Sequence, residues 1–306
     1  MSDSAALEEI VDDAKAYLAV GDIDNAVAVL FEGLAANASE DVQAGVENAV
    51  GSLCRSLWDA KNLEGGKIAA RAAVGEILKC TGEAAEPEYA DLYATALAET
   101  GSSPFPLRRL YRHRNLMRVF AKVVKAPEGH IAECGCARGL SSLELCLTFR
   151  KAHSDWQGVG YHVFDSFEGL SPPTEKDAID WASGHAALVA ANMVAGHFAV
   201  TREVVARNLH RLFPLIELHP GWIPDVFATQ PERSYRFVHI DVDLYQPTID
   251  SLKYFFPRLS PGGIVITDDY DWPGAHKAFD EFAAQHALEL YTTDTNQAFF
   301  VKGAER

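Results

Sequence analysis

The stretch Glu133-Cys134-Gly135-Cys136-Ala137-Arg138-Gly139-Leu140-Ser141-Ser142 decides the fold. The short apolar run His130-Ile131-Ala132 precedes it, and Leu143-Glu144-Leu145-Cys146-Leu147 follows with apolar residues at helical spacing. This order predicts a strand, a glycine turn and a helix. Two glycines permit a sharp reversal and a close approach of a ligand to the backbone. The helix N-terminus offers unpaired N–H groups, with Ser141 and Ser142 as capping or ligand donors.

The spacing of the two glycines, Gly135 and Gly139, narrows the class of ligand. It is G-x-x-x-G, because Ala137 stands where a dinucleotide-binding fingerprint has its middle glycine. A smaller ligand that carries a carboxylate, such as S-adenosylmethionine, is therefore favoured over a pyrophosphate. On this loop alone, an ordinary connection between strand and helix stays an equal alternative.

Length and composition indicate a globular protein of two domains. The chain has 306 residues, of which 48% are hydrophobic and 23% charged. The net charge of −16 disfavours DNA, RNA and anionic membranes as partners. The N-terminus is acidic rather than signal-like, and five cysteines without a C-x-x-C pair suit a reducing compartment. We therefore expect a cytoplasmic protein in which Cys134 and Cys136 are packing residues.

The N-terminal third, residues 1–105, is predicted to be all-helical. Two short apolar-periodic segments, Ala14–Leu18 and Ala26–Leu30, flank Gly21-Asp22 and resemble a tetratricopeptide-type hairpin. Further helices are expected at Leu53–Leu63, Lys67–Lys79 and Tyr89–Glu99. This domain is interpreted either as a partner or dimerisation surface, which leaves a homo-oligomer open, or as a helical cap without a partner.

A breaker at Gly101–Pro106 separates this domain from a second one over residues 106–306. An arginine-rich helix from Leu107 to about Lys125 is followed by strands that alternate with helices. This alternation predicts an α/β fold with a mostly parallel, doubly wound, Rossmann-like sheet. The expected strands are His130–Glu133, Tyr161–Asp165, Leu215–His219, Phe237–Asp241, Gly263–Thr267, Ala287–Thr292 and Gln297–Lys302, the last two forming an antiparallel hairpin. The expected helices between them are Leu140–His153, Arg202–Leu212, Thr248–Arg258 and Gly274–His286.

Carboxylates stand at the ends of four of these strands, where ligands of such sheets bind. Asp165 ends the second strand, and a carboxylate there can accept both hydroxyls of a ribose. Glu133 ends the first strand and is a candidate for orienting the methionine end of the ligand. Its alternative role is to cap the adjoining turn.

A second carboxylate cluster consists of Asp241-Val242-Asp243 and Asp268-Asp269. If the fourth and fifth strands are neighbours, these charges converge across roughly 5 Å of sheet spacing. A divalent cation would relieve their repulsion, and ligation by oxygen alone points to Mg²⁺. The alternative makes Asp269 or Asp271 an N-cap of the helix that follows Pro273.

Together and in order, these motifs resemble the macrocin O-methyltransferase family over about residues 108–302. The segments that carry the resemblance are Ile131–Ser141, Val163–Leu170, His239–Thr248 and Pro261–Tyr270, with Gly221-Trp222 in addition. The resemblance implies a class I methyltransferase that depends on S-adenosylmethionine and Mg²⁺ and methylates sugar hydroxyls of antibiotics and related glycosides.

The resemblance also assigns residues to this chemistry. It implies metal ligands at Asp241, Asp268 and Asp269. It implies cofactor contacts around Gly135, Ser141 and Asp165, with Ser166 next in the same motif, and Gly221-Trp222 near the adenine or the acceptor.

The family uses a histidine as general base, and here the match weakens. The polar segment from Ser171 to about Phe198 is interpreted as a mobile lid that contains Trp181, His185 and His197. An imidazole suits proton removal near neutral pH. His185 is the first candidate and His197 the second, although either histidine also fits an ordinary surface position.

Three other functions remain open at this point. Asp241-x-Asp243 with Asp268-Asp269 resembles the nucleophile and metal motifs of a haloacid dehalogenase phosphatase. In that fold, however, the D-x-D motif belongs to the first strand, whereas here that strand is the fourth. The same motif suits a metal-dependent glycosyltransferase, which leaves the glycine loop and Asp165 unexplained. A helical-repeat interaction protein that binds a nucleoside only structurally is the alternative outside enzymes.

Overall fold

The computed structural model describes residues 10–17, 22, 25–30, 70–75, 86–103, 109–178 and 193–303. The chain forms two compact units, Met1–Leu110 and Tyr111–Arg306. Within the described ranges, no helix is long and apolar enough to cross a membrane.

The first unit is helical wherever it is described. Residues 10–17, 25–30 and 70–75 are helical, and helix α1 spans Pro87–Thr100. Gly101 ends α1 in the left-handed conformation and donates its N–H to the Leu97 carbonyl at 2.9 Å. The predicted helix over Tyr89–Glu99 is thus confirmed. Leu53–Leu63 lies outside the described residues, and the tetratricopeptide-like arrangement stays a prediction.

The second unit alternates strands and helices. Its helices are α2 Arg109–Ala121 (which begins two residues before the unit), α3 Leu140–Ala152, α4 Arg202–His210, α5 Tyr245–Phe255 and α6 Pro273–His286. Its strands are β1 His130–Cys134, β2 Tyr161–Asp165, β3 Glu217–Pro220, β4 Tyr235–Ile240, β5 Leu259–Thr267, β6 Tyr291–Thr292 and β7 Ala298–Val301.

These seven strands form one sheet in the order β3-β2-β1-β4-β5-β7-β6. Strands β1 to β5 pair in parallel, whereas β7 is antiparallel to both β5 and β6. The prediction of a mostly parallel sheet with an antiparallel hairpin at one edge is confirmed. Because β4 and β5 are neighbours, the residues that follow them meet at the same edge.

Two predicted strands begin at least two residues later in the structure. Strand β3 begins at Glu217 rather than Leu215, because the Ile216 N–H closes a turn on the Phe213 carbonyl at 3.3 Å. Strand β6 begins at Tyr291 rather than Ala287. Ala287 ends α6 in the left-handed conformation, which delays the strand.

Helices cover both faces of the sheet. Strand residues such as Ala132, Val238 and Phe300 form one hydrophobic core with Leu252 of α5 and Phe279 of α6. On the opposite face, Phe120 of α2 packs against Phe237 of β4, with their ring centroids 4.8 Å apart. Burial of this apolar surface stabilises the fold. The polar residues at the carboxyl ends of the strands are the exception to this apolar interior, and ligands of such sheets bind there.

Among the described residues, the cysteines behave as the sequence predicts. Cys134, Cys136 and Cys146 are buried free thiols. Burial raises the pKa of each thiol, which keeps them protonated and unreactive.

Candidate active site

Both glycines of the loop after β1 are required by contacts within the protein. Gly135 has φ +78°, and a Cβ there would lie 1.8 Å from the Asp241 carbonyl oxygen. Gly139 has φ +87°, and its Cβ would lie 2.9 Å from Cδ2 of Leu209 on α4. A side chain at Gly139 would therefore strike Leu209, so packing within the protein already requires a glycine here, in addition to any space it leaves for a ligand. Cofactor binding at this loop stays a prediction.

Asp165 connects the glycine loop to the end of β2. Its Oδ2 accepts a hydrogen bond from the Cys136 N–H at 2.8 Å, and its Oδ1 accepts one from the Phe167 N–H at 2.7 Å. The Asp165 carbonyl accepts from the Gly221 N–H at 3.0 Å. The structure thus brings Gly135, Asp165 and Gly221 together, with Trp222 40% exposed at the next position.

Ser166 closes the turn after β2. Its hydroxyl donates to the Gly169 carbonyl at 3.0 Å and accepts from the Glu168 N–H at 3.1 Å. This hydroxyl therefore fixes the chain directly after Asp165.

Glu133 is fully buried and is surrounded by side-chain donors. Ser141 Oγ donates to it at 2.6 Å, and Ser142 Oγ donates to its other oxygen. Tyr161 Oη donates at 3.0 Å, and His239 Nδ1 lies 3.0 Å away. The expectation that Ser141 or Ser142 caps α3 is wrong, because Gly139 is the N-cap residue and makes no side-chain cap. Both hydroxyls bind Glu133 instead.

His239 joins two buried carboxylates across the sheet. It pairs with Glu133 in the register of β1 and β4, and its Nε2 lies 3.2 Å from Asp268 Oδ1. Burial opposes a charge on the imidazole, but Asp268 and Glu133 together hold the pKa of His239 well above its usual range. His239 is therefore a buried cation between two anions.

Asp268 is paired on its other sides as well. Gln297 Nε2 donates to Oδ1 at 2.7 Å, and Arg112 Nε of α2 lies 3.5 Å from Oδ2. Although burial works against ionisation, the charges of His239 and then Arg112 keep the pKa of Asp268 well below its usual range. Asp268 is thus an anion that the protein itself stabilises.

For the neighbouring Asp243 and Asp269, the charge of Arg112 offsets only part of the effects of burial and repulsion. Burial, and then the charge of Asp241, raise the pKa of the half-buried Asp243 to about 8. Burial, and then Asp243 and Asp241, raise the pKa of Asp269 well above its usual range. The Asp243 N–H donates to Asp269 Oδ2 at 2.9 Å, which fixes the two residues side by side. A bound cation would relieve this repulsion.

The predicted metal ligands end at one edge of the sheet. One carboxylate oxygen of Asp241 lies within 4.8 Å of one of Asp268, and a ring nitrogen of His239 lies within 4.8 Å of both. As a protonated imidazole, His239 has no lone pair to offer a metal. The alternative role for Asp269 or Asp271 as an N-cap is wrong, because Trp272 is the N-cap residue of α6 and no side chain caps it. These carboxylates are therefore not explained by helix capping.

The predicted lid is partly built into the fold. A short 3-10 helix covers Glu175–Asp177, so this part of the segment is not irregular. Buried Asp177 accepts from the Thr174 N–H at 2.7 Å and from the Tyr245 N–H, at the start of α5, also at 2.7 Å. Trp181 and His185 lie outside the described residues. His197 is half-buried, with its ring 4.1 Å from that of Phe198 and its carbonyl accepting from Leu170 N–H at 2.9 Å.

Three residues of this site were missed from the sequence. His239 carried a usable signal, since it is the last but one residue of β4 and stands two residues before Asp241. Arg112 and Asp177 carried none, because their partners are more than sixty residues away along the chain.

Residues 103–302 match the Macrocin-O-methyltransferase (TylF) family. The chain belongs to this family. The resemblance stated from the sequence is confirmed, and it covers the glycine loop, Asp165 and the carboxylate cluster alike.

Three O-methyltransferases are similar to the chain. The 8-demethyl-8-(2,3-dimethoxy-alpha-L-rhamnosyl)-tetracenomycin-C 4'-O-methyltransferase of Streptomyces olivaceus is 33% identical over 164 residues, covering 52% of this chain and 60% of that protein. Demethyldecarbamoylnovobiocin O-methyltransferase of Streptomyces niveus is 33% identical over 181 residues, covering 56% and 65%. Mycinamicin III 3''-O-methyltransferase of Micromonospora griseorubida is 30% identical over 188 residues, covering 58% and 69%. The match therefore spans less than two thirds of the first two relatives.

The fold agrees with this assignment. The solved structure of the O-methyltransferase NovP superposes with a TM-score of 0.54 at 28% identity, covering 67% of this chain and 86% of that one. The second unit therefore has the class I methyltransferase-like α/β fold, and a methyltransferase family implies S-adenosylmethionine as the methyl donor.

Proposed function

We propose that this chain is an S-adenosylmethionine-dependent O-methyltransferase that methylates a hydroxyl on the sugar of a glycosylated natural product and requires Mg²⁺. The observation that carries the proposal is the aspartate cluster after β4 and β5, where burial and mutual repulsion raise the pKa of Asp243 and Asp269, at the same sheet edge as the glycine loop and Asp165. Three relatives whose names state O-methyl transfer to natural products support the reaction class.

The cofactor half of the site is assigned to β1, β2 and β3. Asp165 is oriented by two backbone N–H groups, and its remaining lone pairs suit the two hydroxyls of a ribose. Trp222 offers an exposed aromatic surface next to Gly221, which suits an adenine or the acceptor ring. Glu133, Ser141 and Ser142 bind one another, so their proposed role is to position the loop from beneath.

The donor set at the other half fits Mg²⁺. Asp241, Asp268 and Asp269 offer only carboxylate oxygens, which hard divalent cations prefer. Asp268 Oδ2 accepts no hydrogen bond from the described residues, although it is buried. Mg²⁺ supplies Lewis-acid activation and orientation of substrate oxygens.

In the proposed reaction, the acceptor hydroxyl oxygen attacks the sulfonium methyl group. A C–O bond forms as the C–S bond breaks, and S-adenosylhomocysteine leaves. The hydroxyl proton passes to a base, for which His185 and His197 remain the candidates. The protein's contribution is to hold the two reactants in line, and such positioning accounts for much of the acceleration in comparable reactions.

The experiment is a methyl-transfer assay with isotope-labelled S-adenosylmethionine across a panel of glycosides and catechols. Asp241→Asn removes a charge while nearly keeping shape, so we expect a folded protein that still binds S-adenosylmethionine by calorimetry. Its turnover should fall about 10²- to 10³-fold, because Lewis-acid activation contributes several kcal/mol and each 1.36 kcal/mol is about tenfold in rate. Chelation of the wild type should have the same effect, with Mg²⁺ restoring the rate.

Two controls sharpen this result. Asp155→Asn makes the same substitution at an exposed position outside the cluster and should leave turnover unchanged. His185→Ala and His197→Ala should separate the two candidate bases, because loss of the true base lowers turnover by roughly 10²-fold or more without changing cofactor affinity. Methyl transfer at full rate in excess EDTA would remove the metal from the mechanism.

The competing functions fit less well. The hypothesis of a phosphatase or a glycosyltransferase gives a role to Asp241-x-Asp243 but none to the glycine loop or Asp165. The family match includes all three features. Calorimetry with NAD and a sugar nucleotide, beside S-adenosylmethionine, tests these alternatives directly.

A further inference from the structure

A second cluster of metal-ligating side chains lies at the β3 edge of the sheet, away from the aspartates. It comprises His162 of β2 and Glu217 and His219 of β3, each of which offers one ligand atom within 4.8 Å of the other two. His162 faces Glu217 directly in the register of the two parallel strands. Strand alternation places Glu217 and His219 on the same face.

The distances within this cluster suit a single small cation. His162 Nδ1 lies 3.1 Å from His219 Nε2 and 3.5 Å from Glu217 Oε1. His219 Nε2 lies 3.9 Å from Glu217 Oε2. Tetrahedral zinc with ligand bonds of about 2.05 Å separates its ligand atoms by ~3.3 Å. The three side chains therefore need only small adjustments to share one ion.

His130 supplies the outer contact that such sites use. Its Nδ1 lies 2.8 Å from His162 Nε2, so it can accept the proton of that nitrogen and leave Nδ1 of His162 as a lone-pair donor. Phe164 stacks on His219 with the ring centroids 4.6 Å apart, which fixes the second imidazole. The cluster is thus held in place from two sides.

The state and access of the ligands also agree with metal binding. Burial, and then the charge of Arg233, lower the pKa of His162 to about 3, and burial lowers the pKa of His219, so both imidazoles are neutral near pH 7. The Glu217 side chain is 50% exposed, which leaves a path for an ion and a fourth position for water. Arg233, whose Nη2 lies 3.7 Å from Glu217 Oε2, is a nearby cation that opposes binding.

We propose that His162, Glu217 and His219 bind one zinc ion or a similar divalent transition metal, with His130 positioning His162. Two imidazoles and a carboxylate suit zinc, whereas Mg²⁺ prefers oxygen ligands alone. The ion would link edge strand β3 to β2 just before Gly221, where β3 leads into the proposed cofactor site. This inference does not depend on the methyl-transfer reaction.

The test is calorimetric titration of the full chain, free of any purification tag, with ZnCl₂ in buffer that contains saturating Mg²⁺. Glu217→Gln and His219→Gln should each bind one zinc equivalent fewer than the wild type. His130→Ala should retain the site with affinity about 10- to 100-fold weaker. Co²⁺ should give the visible absorption of a tetrahedral complex in the wild type and lose it in His219→Gln.

Two controls separate this site from other zinc ligands. His276 has a similar contact, with its Nε2 3.4 Å from Asp280, but among the described residues it belongs to no group of three metal-ligating side chains, so His276→Ala should bind zinc like the wild type. Asp241→Asn tests whether zinc binds to the aspartate cluster instead of the proposed site. Because Glu217 is exposed, Glu217→Gln should fold even if His219→Gln does not. Equal zinc stoichiometry in the wild type and folded Glu217→Gln, or loss of zinc only in Asp241→Asn, would overturn the proposal.

Discussion

At the scale of single residues, two glycines stand where a neighbouring element occupies the space of a side chain. Gly139 faces Leu209 of α4, and Gly274 of α6 faces the carboxylate of Asp177. Each glycine therefore sets the distance between two elements that border the candidate site. Substitution at Gly274 therefore tests packing, whereas substitution at Gly139 tests packing together with backbone strain at φ +87°.

Gly139→Val should weaken both the fold and the cofactor site. The Cβ would lie 2.9 Å from Leu209 Cδ2, and a β-branched residue is strained at φ +87°. The displaced turn also carries the Cys136 N–H that binds Asp165. We expect a lower melting temperature and weaker S-adenosylmethionine binding by calorimetry. Adding Leu209→Ala should recover part of both, since the collision is removed while the backbone strain remains. No recovery in the double variant would rule out the collision as the cause.

Gly274→Ala should destabilise the protein, against the usual trend. Within a helix, alanine is normally more stable than glycine by about 0.5–1 kcal/mol. Here the Cβ would lie 2.1 Å from Asp177 Oδ1 and 2.5 Å from the Tyr245 nitrogen. Displacing Asp177 leaves buried polar groups without partners, which costs about 1–3 kcal/mol. Urea unfolding measures the sign, and Gly303→Ala, with no atom within 4 Å of its Cβ, is the control. A Gly274→Ala variant more stable than the wild type would contradict this packing.

At the scale of elements, a row of charges crosses three strands beneath the candidate site. It runs from Glu133 on β1 through His239 on β4 to Asp268 after β5, and Arg112 of α2 closes it. Burial of such ions is costly unless each has a partner. The alternation of charge along the row supplies those partners.

His239→Leu should therefore be strongly destabilising. It leaves Glu133 and Asp268 buried without the cation between them, and breaking a buried ion pair in this way costs about 3–5 kcal/mol. Urea unfolding gives the loss directly. Glu133→Gln added to His239→Leu removes one of the two stranded charges and should restore part of the stability. If the double variant is less stable than His239→Leu alone, the charge of Glu133 is not what His239 balances.

The strands and their mostly parallel pairing could be predicted from the sequence, but this row could not. Alternation of apolar strands with amphipathic helices is a local pattern, so it predicts the parallel sheet and places Asp241 and Asp268 at one edge. The partners of Asp268, namely Arg112 and Gln297, come from distant parts of the chain and leave no local trace. The predicted start of β6 was wrong because a single residue in the left-handed conformation, Ala287, delays the strand.

At the scale of the whole molecule, all residues proposed for cofactor and metal fall in one compact unit. That unit, Tyr111–Arg306, contains the glycine loop, Asp165 and the aspartate cluster. It also contains Arg112, although α2 begins at Arg109, so the arginine belongs with the site that it balances. The net charge of −16 makes such a cationic residue among the aspartates energetically significant.

A fragment that begins at residue 106 should therefore fold and bind S-adenosylmethionine with unchanged affinity. It keeps α2, including Arg112 and Phe120, whose ring centroid lies 4.8 Å from that of Phe237. A second fragment that begins at residue 123 lacks α2 and should fail to fold, since loss of a buried phenylalanine alone costs about 3–5 kcal/mol and Asp268 also loses a cation. Circular dichroism and calorimetry compare the two fragments with the full chain. A folded 106–306 fragment that does not bind S-adenosylmethionine would show that residues 1–105 contribute to the cofactor site, and the proposed domain boundary would be wrong.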